Sequence, residues 1–221
     1  MSEISSGNGR KVEVVHSPAL FPVYFDNNDC VVVVIDVFRA TSAICAAFES
    51  GIDSLIPVAT LEEAIAYKQK GFKVGAERNA EVVEGFDFGN SPLTFKDGKF
   101  KNESLVLTTT NGTKAVEMAK PANHVVIGAF TNITAVCNYI EQLDKDVLLL
   151  CAGWKDRFNL EDTLFAGAVA QRLSQNLRFN NLSATNFLKL NNFFCLFFVE
   201  KYFLFLKDLD LNLLKKLRST S

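Results

Sequence analysis

The sequence predicts an α/β protein, a sheet of buried strands with helices on its faces. Three observations predict it. Residues 31–37 read VVVVIDV, a β-branched run without alternation, as in a strand covered on both sides. Apolar strand, small polar turn and helix recur four times along the chain. The 221 residues are 48% hydrophobic and 22% charged, enough apolar material for a filled core. A net charge of −2 gives no electrostatic case for nucleic-acid binding.

The elements follow in order. After the valine run come Phe38–Ser42 and an alanine-rich helix, Ala43–Glu49, closed by Gly51. Leu61–Lys70 is a helix with Thr60 as N-cap and Glu63 at the capping-box position. Phe72–Gly75 is a short strand. Residues 76–104 are rich in Gly, Asp, Asn and Pro and read as one long loop, a length that usually carries function. Ser104–Leu107 is a buried strand, followed by the turn Thr108–Thr113 and a helix, Lys114–Ala119. His124–Ala129 is a strand leading through Thr131 and Asn132 to a helix ending at Ile140. Val147–Cys151 is a strand; the loop Ala152–Asn159 then enters a helix from Leu160 to at least Leu173. In such sheets ligands bind outside the carboxyl ends of the strands, and the polar clusters all fall there.

Compartment is read from what is missing. The five cysteines form no CxxC pair and no dense framework, so they read as reduced thiols. Residues 1–10 are polar and hold no apolar signal core. The most apolar run, 193–206, is fourteen residues interrupted by Glu200 and Lys201, too short to span a bilayer. The expectation is a cytoplasmic protein.

Chemistry gathers at four places. Asp36 ends a buried strand, where a carboxylate suits a divalent cation; magnesium takes one or two carboxylates plus substrate oxygens. The plain alternative is an acid capping the next helix and paired with Arg39. Arg39 suits bidentate recognition of phosphate or sulfonate. The turn Thr108–Thr113 offers four threonines, Asn111 and Gly112 at a helix N-terminus, more donors than a cap requires, and reads as an anion site. Gly112 is expected to supply backbone freedom. Glu77–Arg78 opens the long loop; an isolated pair of this kind is ordinarily a solvated surface pair.

Cys151 and Arg157 stand at Cys-x5-Arg spacing between strand and helix, the arrangement of thiolate phosphatases. A buried strand-end cysteine is the plainer reading. Glu161 and Asp162 begin the last helix, where acids complement the dipole or complete a metal site with Asp36. There is no Walker A loop, G-x-S-x-G elbow or G-x-G-x-x-G fingerprint. His16 and His124 are too isolated for a triad or zinc site.

Five blocks together resemble one family, the 2-phosphosulfolactate phosphatases of the ComB type. They are VVVVIDVFRATSAI (31–44), GAERNAEVVEGFDFGNSPL (75–93), LVLTTTNGTKAV (105–116), VVIGAFTNITAV (125–136) and CAGWKDRFNLEDTLFAGAVA (151–170). The resemblance covers roughly residues 11–175. It implies a three-layer α/β/α fold with a mixed sheet and a magnesium-dependent phosphatase. The implied substrate is (2R)-2-phospho-3-sulfolactate, hydrolysed to 3-sulfolactate and phosphate as in coenzyme M biosynthesis.

Carried onto this chain, the resemblance implies Asp36, Arg39, Cys151 and Arg157 as catalytic residues. Thr41, Arg78, Asn90, Ser91, Thr109, Thr110, Asn111 and Thr113 are implied in substrate binding, and Asp36, Glu77, Glu161 and Asp162 in holding Mg2+. The nucleophile stays open between metal-activated water, an Asp36 phosphoenzyme and the Cys151 thiolate. The implied partner is a small anionic phosphomonoester, with no nucleic acid and no membrane span; a homodimer is one option for assembly.

The family pattern stops near Gln175. No glycine follows Gly167 and no proline follows Pro121, and eight of twenty phenylalanines lie between Phe179 and Phe205. The division read from this is 11–175 as the catalytic domain and 176–221 as an atypical Phe/Leu/Asn/Lys-rich segment, not a second functional domain. On this reading the family's last helix and strand are missing or replaced. That keeps a second hypothesis, a catalytically impaired relative that only binds an anion. An unrelated anion-binding α/β module is a third, disfavoured by the five blocks.

Overall fold

The computed structural model describes residues 10–79 and 81–173, and the backbone of 178–179. Two sheets organise the chain. The first has the order β7-β2-β8-β1-β9, built from β1 (Lys11–Val15), β2 (Cys30–Ile35), β7 (His124–Gly128), β8 (Asp146–Cys151) and β9 (Arg178–Phe179). All its pairings are parallel, with Ile35 opposite Cys151 and Val15 opposite Leu150. The second has the order β3-β6-β4-β5, from β3 (Ser54–Pro57), β4 (Lys73–Arg78), β5 (Glu81–Val82) and β6 (Ser104–Thr108). Its β5 runs antiparallel to β4, so this sheet is mixed.

The valine run behaves as predicted. β2 is buried along its whole length because both faces of its sheet are covered. On one face Val31, Val33 and Ile35 pack with α5 (Ile133–Gln142) and α6 (Leu160–Leu173). On the other, Val32 and Val34 pack with α1 (Phe21–Tyr24) and α4 (Gly112–Ala119). Each fully buried valine contributes on the order of 1.5 kcal/mol. This gives the three α/β/α layers that the resemblance implies. The second sheet is likewise covered, by α2 (Ala40–Glu49) on one side and α3 (Leu61–Gln69) on the other.

Local signals hold where their chemistry is local. The Thr60 side chain accepts the Glu63 N–H, and the Glu63 carboxylate accepts the Thr60 N–H. Gly51 ends α2 with φ +90°, a conformation glycine adopts without strain. The long loop is a correction. Residues 76–104 contain the end of β4, all of β5 and a 3-10 turn at Pro92–Gly98. Phe88, Phe95 and Phe100 pack ring on ring, 5.1–5.9 Å apart, against α2. Gly75 makes room for this: a Cβ there would lie 2.2 Å from the Phe88 ring. The segment is ordered by an aromatic core that leaves no periodic mark in sequence.

Helices α2 and α4 start earlier than expected, at Ala40 and Gly112, which draws both polar turns into helix N-termini. Cys30, Cys45, Cys137 and Cys151 are free thiols. Among the described residues no helix is long and apolar enough to cross a membrane. Apart from β9, the expectations for residues 176–221 lie outside the described residues.

Candidate active site

The carboxyl ends of β2 and β8 in one sheet meet those of β4 and β6 in the other. Asp36 stands at this junction, buried beyond the end of β2. Thr41 holds its backbone: the Thr41 hydroxyl donates to the Asp36 carbonyl at 2.7 Å and accepts the Asp36 N–H at 3.1 Å. The Asp36 carboxyl accepts the Ala40 N–H at the start of α2, the capping role weighed from sequence. Gly112 of α4 lies against the same carboxyl. Burial, then the neighbouring charge of Asp162 and more distantly those of Glu77 and Glu161, push Asp36 up to about 7.

Asp162 is buried on α6 and acts as a clasp. Its Oδ1 accepts the Val37 N–H at 2.8 Å and its Oδ2 the Gly153 N–H at 3.1 Å, joining the ends of β2 and β8. Burial raises it to about 7 despite those bonds. Glu77 is buried at the end of β4. Its Oε2 accepts Asn90 Nδ2 and the Thr110 N–H, both at 3.4 Å, and its Oε1 accepts the Thr110 hydroxyl at 3.3 Å. Glu161 is half-buried and accepts Asn159 Nδ2 at 3.3 Å.

The four acids therefore share one field without forming one ligand shell. Among the described residues no three His, Cys, Asp or Glu side chains stand close enough to hold a metal together. Asp162 and Glu77 direct their oxygens to backbone and amide donors, which the sequence reading did not foresee. Magnesium fits this donor set in the open manner, on one or two carboxylates with the remaining positions on substrate and water. A cation there would offset both the burial and the neighbouring charge of Asp162 that raise Asp36.

The threonine turn is braced from within. The Thr113 hydroxyl donates to the Thr109 carbonyl at 3.1 Å and accepts the Thr109 N–H at 3.1 Å; the Thr109 hydroxyl accepts the Thr113 N–H at 3.2 Å. Thr41, Thr109 and Thr113 are thus buried frame, with hydroxyls turned to backbone rather than outward. Arg78 donates to the Thr108 hydroxyl at 3.0 Å and to the Glu77 carbonyl at 2.6 Å. It sits on the end of a strand, not in a solvated loop. Ser91 is half-buried and opens the Pro92–Gly98 turn. Arg39 is half-buried beside Asp36 in sequence, after the exposed Phe38.

Cys151 and Arg157 are not brought together. The Cys151 side chain lies in the core packed by α6, and burial pushes its thiol well above the ordinary range. Arg157 is exposed, beyond a tight turn in which Trp154 and Arg157 exchange backbone hydrogen bonds at 2.9 and 3.0 Å. The thiolate geometry suggested by spacing is absent because the loop folds as a hairpin instead of a cradle.

That hairpin brings in residues the sequence reading missed. Lys155 and Asp156 are both left-handed, at φ 52° and 59°, a conformation that persists only where surroundings over-determine it. Three tethers do so. The Lys155 N–H donates to Asn111 Oδ1 at 3.0 Å. Lys114 Nζ grips both Asp156 oxygens at 2.8 and 2.9 Å. The Ser17 hydroxyl donates to the Asp156 carbonyl at 2.7 Å. Ser17 escaped notice because β1 was not recognised, and the end of an unassigned strand cannot be placed on the rim. His16 precedes it with its ring 5.8 Å from Phe158, its imidazole lowered by burial.

A buried acid beside a braced threonine turn, with Arg39, Arg78 and Arg157 carried by the surrounding segments, marks the strand-end rim of this α/β protein. The profile of the 2-phosphosulpholactate phosphatase family matches residues 15–193, most of the chain, and the protein belongs to that family. The match runs past residue 175, beyond the last of the five motif blocks.

A probable 2-phosphosulfolactate phosphatase of Thermotoga petrophila is 46% identical over 144 residues, 65% of this chain and 63% of that protein. One from Caldanaerobacter subterraneus is 41% identical over 146 residues, 64% and 61% of the two chains. One from Clostridium botulinum is 36% identical over 168 residues, 74% and 70%. The chain thus spans less than two thirds of the first two relatives.

Proposed function

We propose that the protein is a magnesium-dependent, cytoplasmic phosphatase that hydrolyses 2-phospho-3-sulfolactate to 3-sulfolactate and phosphate. The observation that carries this reading is the placement of Asp36: a buried carboxyl where two sheets meet, raised by burial and neighbouring acids, beside a braced turn of donors. Membership of the family supplies the substrate class, since the similar proteins are named for that activity.

The substrate carries phosphate, sulfonate and carboxylate on a three-carbon frame. Arg39, Arg78 and Arg157 divide these anions, and the Asn111 and Gly112 N–H groups that open α4 orient the phosphoryl oxygens. Water adds to phosphorus, the bond between phosphorus and the ester oxygen breaks, and the leaving oxygen takes a proton to become the hydroxyl of 3-sulfolactate. Bound Mg2+ supplies Lewis-acid neutralisation of the phosphoryl charge, held by Asp36. Asp162 ties Val37, next to Asp36, to Gly153 at the start of the hairpin. The Cys151 route is disfavoured, because a fully buried thiol pushed well above its usual range is not a nucleophile at neutral pH.

The test is phosphate release from 2-phospho-3-sulfolactate with magnesium or with EDTA. Turnover with magnesium that EDTA abolishes supports the reading. Turnover unaffected by EDTA removes the metal, and a cooperative melt without turnover leaves the anion-binding relative.

A further inference from the structure

Gly112 is not where it is for backbone freedom. Its φ lies outside the left-handed region, unlike Gly51 or Gly153. Nor does glycine favour a helix start over alanine on propensity. What the position demands is space. A Cβ on Gly112 would stand 2.5 Å from Asp36 Oδ2, 3.3 Å from its Cγ and 2.5 Å from the Ala40 Cβ. The missing side chain is where the first turns of α2 and α4 converge on one carboxyl.

We infer that Gly112 is a positioning residue for Asp36, holding its carboxyl in the orientation the site uses. The inference rests on the phosphatase reading for its effect on turnover, but not for the geometry. Thr41 pins the Asp36 backbone through both N–H and carbonyl, so the carboxyl moves only by turning about its own bonds. Ala40 belongs to a helix anchored by the fully buried Ala43 and Ala47. A methyl at 112 therefore meets one neighbour that resists and one that rotates. The carboxyl turns, leaving its place beside the Ala40 N–H.

Two variants separate positioning from packing. Gly112→Ala is expected to lower kcat for phosphate release by roughly ten- to a hundredfold, the range for misplacing a reacting group or its support, with KM changing far less. Gly112→Ala combined with Ala40→Gly removes the helix–helix clash and leaves the carboxylate clash. The double variant is expected to regain the melting temperature while kcat stays low. Recovery of kcat together with melting temperature means that Gly112 serves helix packing only, and overturns the inference.

A readout independent of turnover is the 13C carboxyl resonance of Asp36, assigned by its loss in Asp36→Asn. It is expected to move in Gly112→Ala and to stay moved in the double variant. An unmoved resonance overturns the inference. A resonance that moves in Gly112→Ala, together with a wild-type protein that releases no phosphate, sinks the phosphatase reading and leaves the positioning role standing.

Discussion

At the end of β2 the Thr41 hydroxyl brackets Asp36, taking its N–H and giving to its carbonyl. At the end of β6 the Thr113 hydroxyl brackets Thr109 in the same way, one residue closer in sequence. Both brackets are buried, and each bracketing threonine is the second residue of a helix, α2 or α4. The difference lies in what the frame carries. One carries a carboxyl raised to about 7. The other carries neutral Thr109, whose N–H and hydroxyl are both taken up by Thr113. A shared backbone device thus sets a carboxyl at the end of one strand and a neutral turn at the end of another. Gly112 lets the two meet without a side chain between them.

The largest expected effect breaks the cargo and keeps the frame. Asp36→Asn retains an acceptor for the Ala40 N–H, so the fold survives. Phosphate release is expected to fall by at least about a hundredfold, as for loss of one preorganised electrostatic group. Activity close to wild type would remove Asp36 from the chemistry. Next comes the clasp. Asp162→Ala orphans the Val37 and Gly153 N–H groups, and denaturant unfolding should show a loss of roughly 2–6 kcal/mol, at about 1–3 kcal/mol per buried donor.

The same two acids set a pH dependence. Both are raised from 3.8 to about 7, so the folded protein holds protons that the unfolded chain has released between about pH 4 and 7. Their stabilising contribution is full below about pH 4 and is lost as pH rises through about 7. Without divalent cation, melting temperature should fall from pH 5 to pH 7.5, less steeply in Asp36→Asn. Magnesium should raise the melting temperature more at pH 7.5 than at pH 5, because it competes with protons for the carboxyl. No magnesium effect at pH 7.5 would count against the metal.

Smaller effects sharpen the comparison of frames. Thr41→Val and Thr113→Val each remove one bracket and should cost about 1–3 kcal/mol in stability. Only Thr41→Val should also reduce kcat strongly, since Asp36 hangs from that bracket. Equal losses of kcat would mean that the two turns share the chemistry evenly. Smallest of all, Lys114→Met removes an exposed ion pair with Asp156, worth no more than about 1 kcal/mol. Its effect should appear as a higher KM measured at low salt, through the hairpin that carries Arg157.

Much of this was readable from residues alone. VVVVIDV announced a doubly covered strand, Thr60 and Glu63 announced their capping box, and the polar runs after β2, β6 and β8 marked the rim. Such signals are local: burial on both faces, a cap or a turn leaves its own periodicity or composition. β1 and β3 went unseen because they are short and draw their hydrogen bonds from strands far away in the chain, and β5 because it is only two residues long, paired in a hairpin with β4. The Phe88–Phe95–Phe100 plug went unseen for the same reason, since ring packing needs no spacing rule.

The site divides along the same line. Asp36, the threonine turn and the acids of α6 stand out as chemistry-bearing types at strand ends. Which of them faces the ligand is a question of where each oxygen finds its donor. The family resemblance implies Asp162 and Glu77 as metal ligands, and Thr41, Thr109 and Thr113 as substrate contacts. Packing gives each of those groups a backbone or amide partner, leaves Cys151 in the core, and asks Gly112 for empty space. Sequence order names the groups near the strand ends, whereas the meeting of two sheets selects which of them is left to act.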